Sequence, residues 1–292
     1  MPRVLGVAAA FGLGQVRECR VVLRGAMGEI SQLVTDRGAF AVKELFAWNS
    51  GEGAEDEAAL TALAREWGIA VPCEHRTPGG ELVALVEGVR WRAYEWFDLE
   101  PDEVRPPHLV AEVLTTLHRH ARPDPRPLDP WYETPPSRDA WEALVRASGD
   151  EPWGHLLEGV MTHLVDLGGL RRPERPRMTC HRDLAPDNVL PLRAGGLAVL
   201  DWEDAGPLEL EQELGCVLLW CPAVYDSYAS ALPNAPRVRP EIFATAATVW
   251  LNFLAVQARA ALDPAASAEH RDFGRVVVEA ALRSPLVIPG GG

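Results

Sequence analysis

Two kinds of pattern divide this chain. In its first part, short runs rich in branched and aromatic side chains are set off by Gly-bearing stretches. They predict strands at residues 20–24, 30–35 and 39–46. Asp36-Arg37-Gly38 reads as the tight turn between the last two. Two further strands are expected at 81–87 and 89–96, joined at Gly88. Between the two sets, a polar Gly-bearing loop at 48–53 leads into a helix over 55–67. There Ala58, Leu60, Leu63, Ala64 and Trp67 fall near i, i+3, i+4 spacing, and Gly68 follows as a C-cap.

The pattern then changes. Residues 107–121 carry Leu109, Val110, Val113, Leu114 and Leu117 on one helical face. Residues 121–136 are rich in proline and predict an extended surface loop. Helices are expected at 137–147 and 152–167, a short strand at 178–180, and a hairpin of 189–193 with 197–200 around Ala194-Gly195-Gly196. The remainder reads as helical, most strongly over 241–262, and ends in a frayed tail at 289–292. The change from strands to helices near residues 98–101 divides the chain into 1–97 and 98–292.

Charge narrows the classes of partner. Forty-two acidic and 28 basic side chains give a net charge of -14. A nucleic-acid surface needs a basic stripe, and an electrostatic membrane anchor needs basic clusters, so neither partner is expected. A cationic small molecule suits the balance better. The five cysteines, Cys19, Cys73, Cys180, Cys216 and Cys221, form no C-x-x-C pair and an odd count, which points to free thiols in the cytoplasm. Residues 1–14 loosely mimic a secretion signal, but a weak basic start and no clear cleavage site favour a short helix on the first sheet. Only one basic residue, Lys43, is a lysine; all the others are arginine. Ammonium and guanidinium differ in shape, hydration and donor geometry, so an isolated lysine marks a place that requires an ammonium.

The sharpest motif is His181-Arg182-Asp183-Leu184-Ala185-Pro186-Asp187-Asn188. Asn188 opens the expected hairpin and Asp201 closes it, so folding the hairpin sets the two nearly opposite, on strands ~4.8 Å apart. An amide oxygen and a carboxylate so placed can share a hard cation such as Mg²⁺. Asp183 stands on the loop just before. These residue types fit phosphoryl transfer, which needs metal on the phosphates, a cation beside them and a carboxylate to orient the attacking hydroxyl. Lys43, mid-strand, supplies the cation. Glu57 on the following helix is its expected partner, with Glu55 and Asp56 as competitors because helix phase is uncertain from sequence.

With these residues in place the chain resembles the aminoglycoside phosphotransferase and choline kinase-like family. The resemblance runs through Ala41-Val42-Lys43-Glu44-Leu45, the Glu57 helix, Arg92-Ala93-Tyr94-Glu95-Trp96-Phe97, Leu117-His118, residues 180–190 and Leu200-Asp201-Trp202-Glu203. It implies an α+β, bilobal, protein-kinase-like fold: a small antiparallel-sheet N-lobe with one key helix for nucleotide, and a larger, mainly helical C-lobe for catalysis and substrate. It implies Asp183 as catalytic base, Asn188 and Asp201 as Mg²⁺ ligands, Lys43 on the α/β-phosphates, His181 holding the catalytic loop and Glu203 in support. Backbone around Glu95 and Phe97 would meet the adenine. The co-substrate implied is ATP, with GTP as the alternative. Gly25, Gly28 and Ser31 stand where phosphates would be cradled, though a full G-x-G-x-x-G is missing and an ordinary β-turn is the alternative.

Other departures bear on the reading. Glu213 stands near the place of a later family Asp, which leaves that residue's structural role open. Arg182 gives an H-R-D string, but Asp201 is followed by Trp202 and no A-P-E segment appears, which argues against a protein kinase. His118 and His120 read as packed or solvated, Glu209, Glu211 and Glu213 as a polar surface, and the cysteines as small buried groups. Trp202 is either core or a substrate contact. The expected activity is ATP-dependent phosphorylation of a hydroxyl on a small cationic acceptor by a monomer or homodimer. An aminoglycoside-like amino sugar comes first, as in antibiotic resistance. Choline, ethanolamine, homoserine, methylthioribose or a macrolide are alternatives, and a non-catalytic nucleotide-binding module is the reading from another class.

Overall fold

The computed structural model describes residues 2–24, 28–46, 51–100 and 104–289. Gly25, the first part of the loop expected at 48–53 and residues 290–292 lie outside them. The chain divides into two compact units. Residues 1–120 and 186–205 make the first, and 121–185 and 206–292 the second.

The chain opens with helix α1 (Pro2–Ala10) and strands β1 (Val16–Arg24), β2 (Gly28–Thr35) and β3 (Gly38–Leu45). Helix α2 (Ala54–Glu66), the short β4 (Glu74–His75), β5 (Ala84–Val86), β6 (Val89–Glu95) and α3 (Pro107–His120) follow. The strands form one antiparallel sheet in the order β1-β2-β3-β6-β4, with β5 also on β6. The β2–β3 register pairs Thr35 with Gly38, so the expected tight turn is there. Thr35 Oγ1 also donates to the Leu13 carbonyl at 2.7 Å, tying the end of α1 to that turn. One sheet face is apolar: Leu33, Phe40, Val42, Trp91 and Ala93 pack under Val7, Ala8 and Phe11. The expected N-terminal helix is therefore part of the core. The strand expected at 81–87 is shortened to β5, and β4 had too few residues to leave a pattern.

The second unit takes in α4 (Pro130–Glu133), α5 (Arg138–Ala147), α6 (Gly154–Gly168) and β7 (Met178–Cys180). Most of the proline-rich stretch is the exposed loop its composition suggested, but it carries a short helix and buried anchors. Asp129 caps α4 by accepting the Trp131 N–H at 2.7 Å, and Leu128 and Tyr132 are buried beside Cys180 and Leu208. The chain then returns to the first unit with the hairpin β8 (Val189–Pro191) and β9 (Leu197–Val199). It finishes in the second with β10 (Gly206–Leu208), α7 (Leu210–Trp220), α8 (Val224–Ala231), α9 (Ala244–Leu262) and α10 (Ala268–Arg283). β10 pairs with β7, a two-stranded ladder missed where only helices were expected. The apolar stretch Pro240–Leu262 has the length and composition to cross a membrane, yet 67% of its most apolar window is buried within the protein.

Candidate active site

The alternation in β3 and β6 sets up the first unit's site. Phe40 and Val42 face the apolar core, so Lys43 faces the other way. The β3–β6 register places Arg92 directly opposite Lys43, on the same face. Both are buried, Lys43 at 7% and Arg92 at 3% exposure. Like charges so placed repel, and each needs its own counter-charge. Lys43 Nζ lies 2.9 Å from Glu203 Oε2 and 3.3 Å from Asp201 Oδ1. Arg92 Nη1 donates to Glu57 Oε2 at 2.6 Å. The expected Lys43–Glu57 pair is thus replaced: α2 does present Glu57 to this face, but the cation it meets is Arg92. Glu203, expected only in support, is the nearer partner of Lys43.

Helix α2 docks through a polar ladder. Glu57, Thr61 and Arg65 recur at i, i+4, i+8; Thr61 donates to Glu74 Oε1 at 2.5 Å and Arg65 pairs with Glu74 Oε2 at 3.4 Å. The apolar stripe read from the sequence is only half-buried at Ala58, Leu60, Leu63 and Trp67. Trp67 instead stacks on His120 with ring centroids 4.9 Å apart. His118 is buried, whereas His120 is exposed apart from that stack.

Burial pulls the Lys43 ammonium down, but the charges of Asp201 and Glu203 outweigh it and hold it above its ordinary value. Burial raises Glu203, helped by the like charge of Asp201 and opposed by Lys43. Burial raises Glu57 too, against the pull of Arg92. Three carboxylates thus meet two cations. Asp201 is the most exposed of the three, its side chain 41% accessible against 15% for Glu203 and 9% for Glu57.

The hairpin holds Asp201 in place. Val199 N–H donates to the Ala70 carbonyl at 2.9 Å and Leu200 N–H to that of Asn188 at 2.8 Å. Trp202 is buried and donates Nε1–H to the Val199 carbonyl at 3.0 Å, which makes it core. Asp201 takes a left-handed conformation at φ 57°. Asn188 and Asp201 thus flank the base of one hairpin. Their oxygens are hard donors, too few for an all-protein cage and suited to a Mg²⁺ completed by phosphate oxygens and water.

Other expected contacts fare differently. Gly28 has a structural reason: a Cβ there would stand 2.2 Å from the Glu44 carbonyl oxygen. Ser31 is buried opposite Val42, on the face away from Lys43. The Glu95 N–H is engaged by the Cys73 carbonyl at 2.8 Å. Phe97 is half-buried just beyond β6.

In the second unit, β7 delivers His181 in the interior and Asp183 half-buried. His181 Nδ1 accepts the Asp183 N–H at 3.2 Å. Arg182 sits at φ 70°, uncommon for a side-chain-bearing residue, and Glu213 accepts its N–H at 2.9 Å. The Arg182 guanidinium lies 4.2 Å over the Tyr132 ring, so it is occupied within the fold. Trp220 Nε1–H caps the Leu184 carbonyl at 2.9 Å. Glu213, 1% exposed, is thus an anchor of this loop rather than a solvated face, and Glu209 is buried as well. Burial pushes the nearby Cys216 thiol up to about 12 and Cys180 well above its usual range; Cys180 is buried and Cys216 half-buried. Cys73, by contrast, is exposed.

The pattern of the phosphotransferase enzyme family matches residues 22–248, well over half the chain. No curated protein matches the sequence. A spectinomycin phosphotransferase solved with ADP and spectinomycin shares the fold at a TM-score of 0.69 and 12% identity, over 97% of this chain and 98% of that one. A choline kinase from Streptococcus pneumoniae aligns at 0.60 and 16%, over 97% and 99%. An aminoglycoside phosphotransferase from Alicyclobacillus acidocaldarius aligns at 0.55 and 18%, over 90% and 92%. The fold expected from the sequence, α+β and kinase-like, is the one these structures share. The chain belongs to the phosphotransferase enzyme family and is a small-molecule phosphotransferase.

Proposed function

We propose that the protein transfers the γ-phosphoryl group of ATP to a hydroxyl of a small cationic acceptor, with amino sugars of the aminoglycoside kind as the first class. The observation that carries this reading is the buried Lys43 ammonium, 2.9 Å from Glu203 and 3.3 Å from Asp201 in the unit that also bears Asn188. Its role is to bind nucleotide phosphate oxygens. Asn188 and Asp201 would hold Mg²⁺, which when bound neutralises phosphate charge. Asp183 orients the acceptor hydroxyl and takes its proton, and His181 holds the loop that carries it. Positioning and electrostatics supply most of the rate. The net charge of -14 favours a cationic acceptor, and the structural neighbour solved with spectinomycin and ADP supports the pairing of antibiotic and adenine nucleotide. Free cysteines suit the cytoplasm, where ATP is at hand.

The test is ATP turnover over a panel of aminoglycosides, macrolides and small amino alcohols. Asp183→Ala should lower turnover of the accepted substrate by at least ~10²-fold while ADP binding stays near wild type. Undiminished turnover in the variant sinks the base assignment. Tight ADP binding with no turnover of any panel member favours a nucleotide-binding module instead.

A further inference from the structure

The first unit holds a second concavity, of about 240 Å³, to which no side chain of the Lys43 cluster contributes. Trp67 at the end of α2, Leu109 and Val113 on α3, and Leu192 beside the hairpin turn give it apolar walls. Leu109 and Val113 belong by period to the buried stripe of α3, yet both are only half-buried, because the concavity leaves them uncovered. Gly68, Gly195 and Gly196 complete the lining, and a Cβ on any of them would meet no atom within 4 Å. Glu112 adds an exposed carboxylate to the wall. Arg193, next to Leu192, is turned to Asp98 at 3.1 Å, and among the described residues no ion pair engages Glu112.

These walls select a ligand chemistry. A ring suits the apolar sides, and an ammonium suits both the Glu112 carboxylate and the indole of Trp67. A cavity of ~150 Å³ holds one benzene ring, so this one admits a single ring with a short arm. Its place in the fold adds a consequence. Ala70, in its lining, accepts the Val199 N–H at 2.9 Å, and that same hairpin is flanked at its base by Asn188 and Asp201.

We propose that this concavity is an effector site for a small ring-bearing monocation of the arylalkylamine class. Its occupant bridges the end of α2, α3 and the hairpin turn, and so bears on how the hairpin presents Asn188 and Asp201. It is distinct from the acceptor site, since its lining lies in the first unit and Asp183 in the second. The effector role rests on Asn188 and Asp201 serving the nucleotide; the binding site does not.

The experiment uses the full chain with phenethylamine as the probe, titrated by calorimetry with and without ADP, and Tm as a control for folding. Phenethylamine should bind, and phenethyl alcohol, its uncharged counterpart, should bind at least about three-fold more weakly. Glu112→Gln should weaken the amine by about three-fold and leave the alcohol unchanged. Val113→Phe fills the concavity and should weaken both by at least about ten-fold. Should it fail to fold, Thr116→Phe, from the same lining, is read in the same way. Saturating phenethylamine should shift ADP affinity by at least about three-fold in wild type and leave it unchanged in Val113→Phe. No binding of the amine overturns the site. So does binding that both variants leave untouched, which is the result for an amine seated with the acceptor instead. Binding that the variants do weaken, with ADP affinity unmoved, overturns the effector role. A wild-type chain that binds no ADP fails the nucleotide reading, and the probe titration alone then decides the site.

Discussion

Lys43 is the lone ammonium among guanidiniums, and its surroundings suggest why an arginine does not stand there. Its Cγ lies 3.3 Å from where a Cβ on Gly28 would be, so its stem runs through space that the glycine leaves open. Glu203 and Asp201 close on its Nζ, and Arg92 occupies the opposite ladder position. A planar, wider fork must displace one of these neighbours, and overpacking costs about 1–3 kcal/mol. Lys43→Arg should therefore lower Tm and cut ATP turnover by at least about ten-fold despite the conserved charge. Turnover equal to wild type would show that any cation suffices. The isolation of Lys43 and its strand were legible in the sequence. Its partners were not, because choosing between Lys43 and Arg92 for Glu57 requires the β3–β6 register, a pairing of residues far apart in the chain.

At the scale of elements, local signals are legible in the sequence and tertiary ones are not. The Gly-bearing hairpin around 194–196 and the helix ending in Gly68 announce themselves by turn and cap chemistry. The β7–β10 ladder has three pairs, too short for a period to show, and the burial of Leu128 and Tyr132 was hidden by surrounding prolines. Helix α7 is a similar case. Its acidic residues suggest a face turned to water, yet Glu213 turns inward to accept the Arg182 N–H and Gly215 abuts the chain at Ile242. A Cβ at Gly215 would stand 1.9 Å from the Ile242 carbonyl oxygen, a backbone group that cannot rotate aside. Gly215→Ala should cost about 1–3 kcal/mol, a fall in Tm of several degrees by differential scanning calorimetry, even though alanine is the better helix former. An unchanged or raised Tm would show that α7 and the Pro240–Phe243 turn pack less closely than described.

For the whole molecule, the excess of acid is the property that the acceptor would feel first. Attraction of a polycation by a net charge of -14 is screened by salt, whereas neutral acceptors are indifferent to it. If the acceptor is polycationic, its kcat/KM should fall several-fold between about 50 and 500 mM NaCl, mostly through KM. A flat salt profile would make the acidity a matter of solubility alone. The composition showed the sign of the charge but not how the chain is apportioned. The H-x-D-x-x-x-x-N string is shared out, with Asp183 in one compact unit and Asn188 in the other, a division no local pattern reveals.

The solitary lysine has a practical corollary. Among its side chains, the protein offers amine-directed reagents and lysine-specific proteases a single address. That address lies in the middle of β3, nine-tenths covered, with its charge engaged by two carboxylates. Modification or cleavage at Lys43 is thereby a built-in reporter: it registers the opening of the sheet in the bare protein and, where phosphates cover the ammonium, the occupancy of the site itself.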